Sequence, residues 1–308
     1  MTENRLPSFI VVGPPRTGTS WLHKVLDRYA ALPGPTKEPR FFDLHFERGL
    51  DWYRSHFPTL NEDRIMGEVA PTYFVSAEAR LRIARTIPGI KIVFIFRSPV
   101  ERMVSLYRMK RAYGMIPWDF EEALQKDPEL LESGMYCTQV EAWRQAFADK
   151  QLLFTVYDDL RTDPQSFIDT ITTFIGLQPI KLDKSALGKV YSSERMTLPR
   201  SYLATRTATL FADWCKARKL DTFVAHVRNS AFIKLFLGGG EPLSDPSPTA
   251  LRRLAGVLRP EIEGLETLMG RSLDAWKTGP FNEETATADL QDVQEPEFPG
   301  ELHASSLR

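Results

Sequence analysis

The chain has 308 residues, 43% of them hydrophobic and 26% charged, and a formal net charge of −1. That is the composition of an ordinary globular protein with room for a sizeable core, and the balanced charge excludes a global electrostatic pull toward nucleic acid or an anionic membrane. Two cysteines, Cys137 and Cys215, exclude a disulfide framework and point to a reducing, cytoplasmic setting, and no apolar run reaches the ~20 residues of a membrane span. The N-terminal stretch MTENRLPSFIVVG enters a strand almost at once, which leaves no room for a signal peptide.

The first predicted element is FIVVG, a continuous apolar run ending in glycine, as expected of a buried parallel strand. Trp21, Leu22, Val25, Leu26 and Tyr29 then form a helical apolar stripe. A helix over 76–87 leads into a second strand, KIVFIF (91–96), and a helix over 134–148 leads into a third, LLFTVY (152–157). This alternation predicts an α/β fold, a doubly wound parallel sheet with helices on both faces. From about residue 200 the pattern turns helical, with segments near 200–219, 221–236 and 247–270 and a breaker stretch, GGGEPLSDPSP, between the last two. The organisation predicted is a single domain over 1–279. Residues 280–308 carry seven acidic residues and one basic, so they read as a solvated tail.

Chemistry concentrates at the carboxyl ends of the first two strands, where such sheets bind ligands. GPPRTGTS (13–20) places Gly13, Gly18 and Ser20 in the frame of a phosphate-binding loop, G-x-x-x-x-G-K-[ST]. The lysine position is Thr19, and the nearest cation is Arg16, inside the loop. The strand KIVFIF runs into RSPVERMVSLY, with Arg97 at the strand exit, Pro99 opening a helix and Ser105 two turns in. An arginine at a buried-strand exit needs a partner, either a bound anion or a carboxylate capping another element.

A lysine-less phosphate loop followed by R-x-P-x-x-R-x-x-S after a strand resembles the sulfotransferases that use 3′-phosphoadenosine 5′-phosphosulfate (PAPS). The resemblance covers roughly residues 7 to 276, with further matches in SGMYCTQVEAWRQAF, LLFTVYDDLRTDPQSFIDTITTFIGL and LETLMGRSLDAW. It implies a P-loop-like site in which Arg16, Thr17, Gly18, Thr19, Ser20 and Trp21 hold the phosphosulfate, while Arg97 and Ser105 hold the 3′-phosphate. Arg16 would meet the bridging oxygen, where leaving-group charge develops. A sulfonyl group carries less charge than a triphosphate, so no metal is expected, and none of the five histidines falls in a metal-ligand cluster.

KEPRFFDLHFERGLDWYRSHFP (37–58) and GEVAPTYF (67–74) are similar to the carbohydrate branch, above all the heparan-sulfate-type enzymes. The resemblance implies that Glu38 is the general base and that Asp43 orients the acceptor, a glycan or small metabolite. The branch's second-segment lysine is Val69 here, which leaves Lys37 as a substitute or Arg16 acting alone. The segment that closes over the adenosine is not recognisable. SSERMTLPRSY (192–202) lies at the corresponding place, and within it Arg200 is a candidate for the 3′-phosphate.

Other residues carry plainer readings. His23 lies on the first helix and reads as structural. His45 and His56 are rival bases outside any matched motif. Arg102, Arg108, Lys110 and Arg111 read as a solvated basic face with one or two residues turned to a ligand. Trp52, Tyr53 and Phe57 either stack an acceptor or pack the core. Two other functions compete with sulfonyl transfer: a P-loop kinase or NTPase, which a magnesium requirement would reveal, and a non-catalytic nucleotide-binding module, which a product assay separates.

Overall fold

The computed structural model describes residues 5–34, 36–58, 64–183, 198–199, 201–217 and 243–278. Four strands, β1 (Phe9–Val11), β2 (Gly67–Val69), β3 (Lys91–Phe96) and β4 (Leu152–Val156), form one parallel sheet in the order β2-β1-β3-β4. Among the described residues the helices are α1 (Thr19–Leu26), α2 (Gly49–Arg54), α3 (Ala77–Thr86), α4 (Pro99–Ala112), α5 (Phe120–Lys126), α6 (Pro128–Glu132), α7 (Tyr136–Arg144), α8 (Tyr157–Thr162), α9 (Pro164–Ile175), α10 (Tyr202–Ala217), α11 (Pro248–Met269) and α12 (Asp274–Thr278). None of them is long and apolar enough to cross a membrane.

The sheet is doubly wound because its strands are apolar on both faces. Phe9, Val11, Val93 and Ile95 pack into one core with Trp21, Leu22, Val25 and Leu26 of α1 and Phe167, Ile168 and Ile171 of α9. Ile10, Val12, Ile92, Phe94 and Phe96 enter the other, with Ile83 of α3, Tyr136 and Trp143 of α7 and Ile262 of α11. Period-two alternation sends neighbouring residues to opposite layers, so helices must cover both. A third cluster joins α4, α5 and α6 to the start of α11 through Met103, Leu106, Phe120, Leu130 and Leu258. Each such aliphatic or aromatic side chain contributes about 1.5–3 kcal/mol by leaving water.

Element ends follow capping chemistry closely. Ser76 accepts from the Ala79 N–H at 3.1 Å to open α3, and Ser247 does the same for α11 at 3.1 Å, followed by Pro248 at the first helical position. The apolar stripe of the first helix predicted Tyr29 inside it, but α1 stops at Leu26 and Tyr29 is 41% exposed. The chain turns there so that Ala31 can bridge Met66 beside β2. The third strand loses Tyr157, which opens α8, and the helix predicted over 134–148 narrows to α7. The segments predicted at 221–236 and 280–308 lie outside the described residues.

Sequence patterning did not single out β2. It is three residues long, and its central residue is Glu68, which is fully buried. Tyr53 donates its hydroxyl to Glu68 Oε2 at 2.5 Å and Tyr73 donates to Oε1 at 3.1 Å. The Phe42 N–H in turn reaches the Tyr73 hydroxyl at 3.4 Å. The carboxyl therefore ties β2, α2 and the turn after β2 beneath residues 41–42. Burial raises its pKa to about 8 despite the two tyrosine hydrogen bonds, with the negative charges of Glu38 and Asp43 adding to the rise.

A carboxyl with a raised native pKa binds its proton more tightly folded than unfolded, so stability falls as pH rises from the unfolded value of 4.5 toward about 8. The loss runs at up to about 1.4 kcal/mol per pH unit across that window. Glu68→Gln keeps the shape and removes the titration. Denaturant melts at about pH 5 and pH 8 should show wild type losing stability relative to the variant on going to the higher pH. An unchanged gap would mean that Glu68 is ionised at both pH values.

Candidate active site

In a sheet of order β2-β1-β3-β4 the winding direction reverses between β1 and β3, and the loops leaving those two strands frame a crevice. Val11 pairs with Val93, which sets the start of loop 13–20 beside the path of β3 toward Arg97. Within the loop, the buried Thr17 hydroxyl donates to the Pro14 carbonyl at 2.8 Å and closes the turn. Gly18 has φ of 89°, and a Cβ there would sit 2.9 Å from Leu160 and 3.0 Å from Tyr157, so glycine is required twice over. It caps α1 through its backbone alone, with no side-chain acceptor for the first-turn N–H groups. An uncapped helix start with its positive dipole end facing a crevice suits an anion.

Arg16 and Ser105, predicted to serve opposite ends of the nucleotide, touch each other. Arg16 Nε donates to Ser105 Oγ at 3.0 Å, and Nη1 lies 3.9 Å from Met109 Sδ, so the guanidinium runs from the loop onto α4. Its backbone is left-handed, with φ of 73°. Burial lowers its pKa, and the nearby positive charge of Arg97 lowers it further.

Arg97 sits at the exit of β3. Its Nε and Nη2 both donate to Glu101 Oε2, at 3.1 and 2.9 Å, and its guanidinium lies 5.0 Å from the centre of the Tyr157 ring. Its carbonyl accepts the Tyr136 hydroxyl at 2.9 Å. The carboxylate partner that the sequence left open is thus present, in the first turn of α4 and partly exposed. Two arginines from different strands converge on one desolvated crevice, and Glu101 balances only one positive charge.

Glu38 is 5% exposed and lies 3.4 Å from Lys37 Nζ. His23, on the second turn of α1, feels the charges of both. Burial is the main reason its pKa falls to about 3, and Lys37 depresses it further while Glu38 opposes. His23 is therefore neutral, and the segment holding Glu38 returns over α1 next to the loop. Val69 is buried in β2, so the position where the branch carries lysine is occupied by core packing, and Lys37 is the cation beside Glu38.

The rest of the acceptor segment is an aromatic lattice. Phe41 stacks on Tyr53 at 4.6 Å, Phe42 meets Tyr53 and Tyr73 edge-on, and Phe57 packs on Tyr53. Of the cluster left open by the sequence, Tyr53 and Phe57 belong to the core, and Trp52 lies under the Arg48 guanidinium at 5.0 Å. His45 and His56 both pack against Trp52, and His56 Nδ1 lies 2.9 Å from the Trp52 carbonyl. Burial, with Arg48 second, lowers the His45 pKa. Asp43 is bound on both oxygens: Oδ2 by Arg40 and Oδ1 by the Leu44 N–H at 2.9 Å.

The basic face predicted on α4 is not solvated. Arg102 is fully buried and donates to the Leu130 carbonyl at 3.1 Å, while Lys110 is buried between Asp127 at 2.5 Å and Glu129 at 2.6 Å. Arg108 pairs with Asp245, and Arg111 donates to the Pro117 carbonyl. These contacts hold α5, α6 and the start of α11 to α4, and the buried Lys110 charge is offset by its two carboxylates. Arg200 lies outside the described residues. Sequence reasoning passed over Arg40, Glu68 and Tyr73; a lone acid inside the short apolar segment GEVAPTYF was the available signal for Glu68.

The Sulfotransferase domain family model matches residues 6–200 of this chain. The bifunctional heparan sulfate N-deacetylase/N-sulfotransferase 2 of Bos taurus is 31% identical over 201 residues, which cover 58% of this chain and 23% of that protein. Human heparan sulfate glucosamine 3-O-sulfotransferase 3B1 is 30% identical over 191 residues, 59% of this chain and 49% of that one. The chain thus matches about a quarter to a half of the length of these relatives. The crystal structure of a sulfotransferase from Alicyclobacillus acidocaldarius superposes with a TM-score of 0.61 over 89% of this chain and 100% of that one, at 20% identity, which shows the shared fold. A family match that begins just before β1 and runs beyond α9, over a fold whose phosphate loop replaces lysine with Thr19, places this chain in the sulfotransferase domain family.

Proposed function

We propose that this chain transfers a sulfonyl group from PAPS to a hydroxyl of a glycan or small-metabolite acceptor. The observation that carries this reading is the convergence of Arg16 and Arg97 on the crevice between β1 and β3, where burial and the positive charge of Arg97 both work against the Arg16 charge and an anion would offset both. A nucleotide with separate 5′ and 3′ anionic groups fits two cation sites on two loops. The backbone of residues 17–21 and the start of α1 would hold the phosphosulfate, and Arg97 with Ser105 would hold the 3′-phosphate. The heparan sulfate named in the relatives favours a glycan acceptor. A reducing cytoplasmic setting belongs to the same proposal, supported by Cys137 and Cys215 both being free thiols.

In this reading Glu38 takes the acceptor proton as the acceptor oxygen bonds to sulfur, and Arg16 receives the charge that grows on the leaving bridging oxygen. Arg16 must exchange its contact with Ser105 for that oxygen, which leaves the Ser105 hydroxyl to the 3′-phosphate. Lys37, close beside Glu38, places a positive charge next to the carboxylate that takes the proton.

Adenosine 3′,5′-bisphosphate, the desulfated product, should bind far more tightly than AMP, and Arg97→Ala should weaken it by about 1.5–3 kcal/mol. Calorimetry giving equal affinities for wild type and variant would remove Arg97 from the nucleotide site.

Arg16→Ala should act on the chemical step, lowering kcat by about 10²–10³-fold. Loss of PAPS affinity at full kcat would instead make Arg16 a ground-state clamp.

Glu38→Gln preserves hydrogen bonding and removes basicity, so PAPS binding should survive while kcat falls by about 10²–10⁴-fold. The three-way comparison with His45→Ala and His56→Ala decides the base: near wild-type turnover in Glu38→Gln together with a dead histidine variant would transfer the role to that histidine.

A further inference from the structure

Among the described residues, Arg16 and Arg40 are the non-glycine positions with left-handed backbone, at φ of 73° and 54°. Both flank the candidate site, one in the phosphate loop and one two residues after Glu38. Strained backbone of this kind persists where surrounding contacts over-determine it, and it clusters at functional sites.

Arg40 is 7% exposed. Its Nε donates to Asp43 Oδ2 at 2.8 Å, Nη2 donates to the same oxygen, and Asp43 Oδ1 is filled by the Leu44 N–H. Asp43 is therefore the staple that fixes Arg40, with both of its oxygens already accepting hydrogen bonds. The third guanidinium nitrogen, Nη1, is buried and has no hydrogen-bond partner among the described residues. A buried arginine donor without an acceptor is costly, so a ligand atom is its natural complement. The charge around it decides which kind. Asp43 already neutralises Arg40, and the next charged group facing it, Glu129 on α6, is held by Lys110. The remaining N–H thus calls for a neutral oxygen lone pair rather than a further anion.

Glu38 and Arg40 are separated by two residues, at most about 7 Å of chain, and both side chains are shut from solvent to a similar degree. That span is short enough for one sugar-sized acceptor to meet both. Resting on the reading of Glu38 as the base, we propose that Arg40 selects the acceptor. Its Nη1 donates to a second oxygen on the carbon next to the one bearing the reacting hydroxyl. The site then takes vicinally oxygenated acceptors, sugars and polyols, in preference to isolated alcohols.

The test uses labelled PAPS with four probes: cyclohexanol, trans-1,2-cyclohexanediol, methyl glucoside and 4-hydroxycyclohexanecarboxylate. Wild type is compared with the double variant Arg40→Met/Asp43→Asn, which avoids leaving an unpaired buried carboxylate. Binding of adenosine 3′,5′-bisphosphate serves as the check on folding. Wild type should favour the diol and the glucoside over cyclohexanol by roughly 10–100-fold in kcat/KM, and the double variant should lose that preference while still binding the bisphosphate. If the double variant fails to bind it, Arg40→Lys, which keeps a cation on Asp43 and removes the fork, carries the same comparison. Equal use of cyclohexanol and the diol, a preference confined to the carboxylate, or a preference that survives substitution overturns the proposal. So does the absence of transfer to every probe while the bisphosphate binds. Failure of wild type to bind the bisphosphate strikes the PAPS reading instead.

Discussion

Arg16 and Arg97 are carried into one crevice by the parallel pairing of β1 with β3, and the rest of the site is arranged around that repulsion. Two like charges about 4–8 Å apart at an effective dielectric near 20 repel by about 2–4 kcal/mol. Neither arginine can move away, because each leaves a strand buried on both faces. Glu101 offsets part of Arg97, and the Tyr157 face takes up some of its charge. Among the described residues Arg16 donates to a hydroxyl and approaches a thioether, Ser105 and Met109. A multiply charged anion relieves what these neighbours leave, so the electrostatic demand for a ligand is a product of the sheet topology.

Across β2 the same sheet holds an opposite problem, a carboxyl buried without a cation. Glu68 is tolerated because Tyr53 and Tyr73 supply its hydrogen bonds, and because protonation removes the charge over much of the pH range. The two tyrosines are also members of the aromatic lattice under Phe41 and Phe42. The turn that carries Glu38, Arg40 and Asp43 thereby rests on a floor with few alternative packings. A fully satisfied buried polar network rigidifies what it touches, and here it touches the backbone of that turn at Phe42.

Left-handed backbone at a residue with a side chain costs about 1–3 kcal/mol, a large fraction of a typical domain's net stability. Glycine at position 16 or 40 would remove that strain along with the guanidinium. Both arginines keep the strain and are fixed by partners at their tips, Ser105 for one and Asp43 for the other. Gly18 is the contrasting case: there Leu160 and Tyr157 leave no space for any side chain.

The strands KIVFIF and LLFTVY, the helices opening near 76 and 247, and the glycine loop 13–20 with Thr19 in place of lysine were legible in the sequence. Each is a local pattern of hydrophobicity or hydrogen bonding that needs no distant partner to be read. The doubly wound architecture followed from their order, and the family from the resemblance carried by the two loop motifs. What the sequence alone did not decide were the contacts made across long separations. Strand β2 exists because β1 supplies its hydrogen bonds, and Glu68 is buried because α2 and the turn after β2 bring two tyrosines to it. The helix stripe predicted Tyr29 inside α1, but Ala31 had to reach Met66, so the helix ended early. The charges of α4 looked like a solvated face because periodicity does not show that Asp127, Glu129 and the Leu130 carbonyl lie opposite. Asp43 was legible as a candidate site residue, but its pairing with Arg40 was not, because that contact depends on the left-handed turn at Arg40. Local pattern determines which residues form elements and loops; only packing determines which charged groups find partners across long separations, because those partners come from distant parts of the chain.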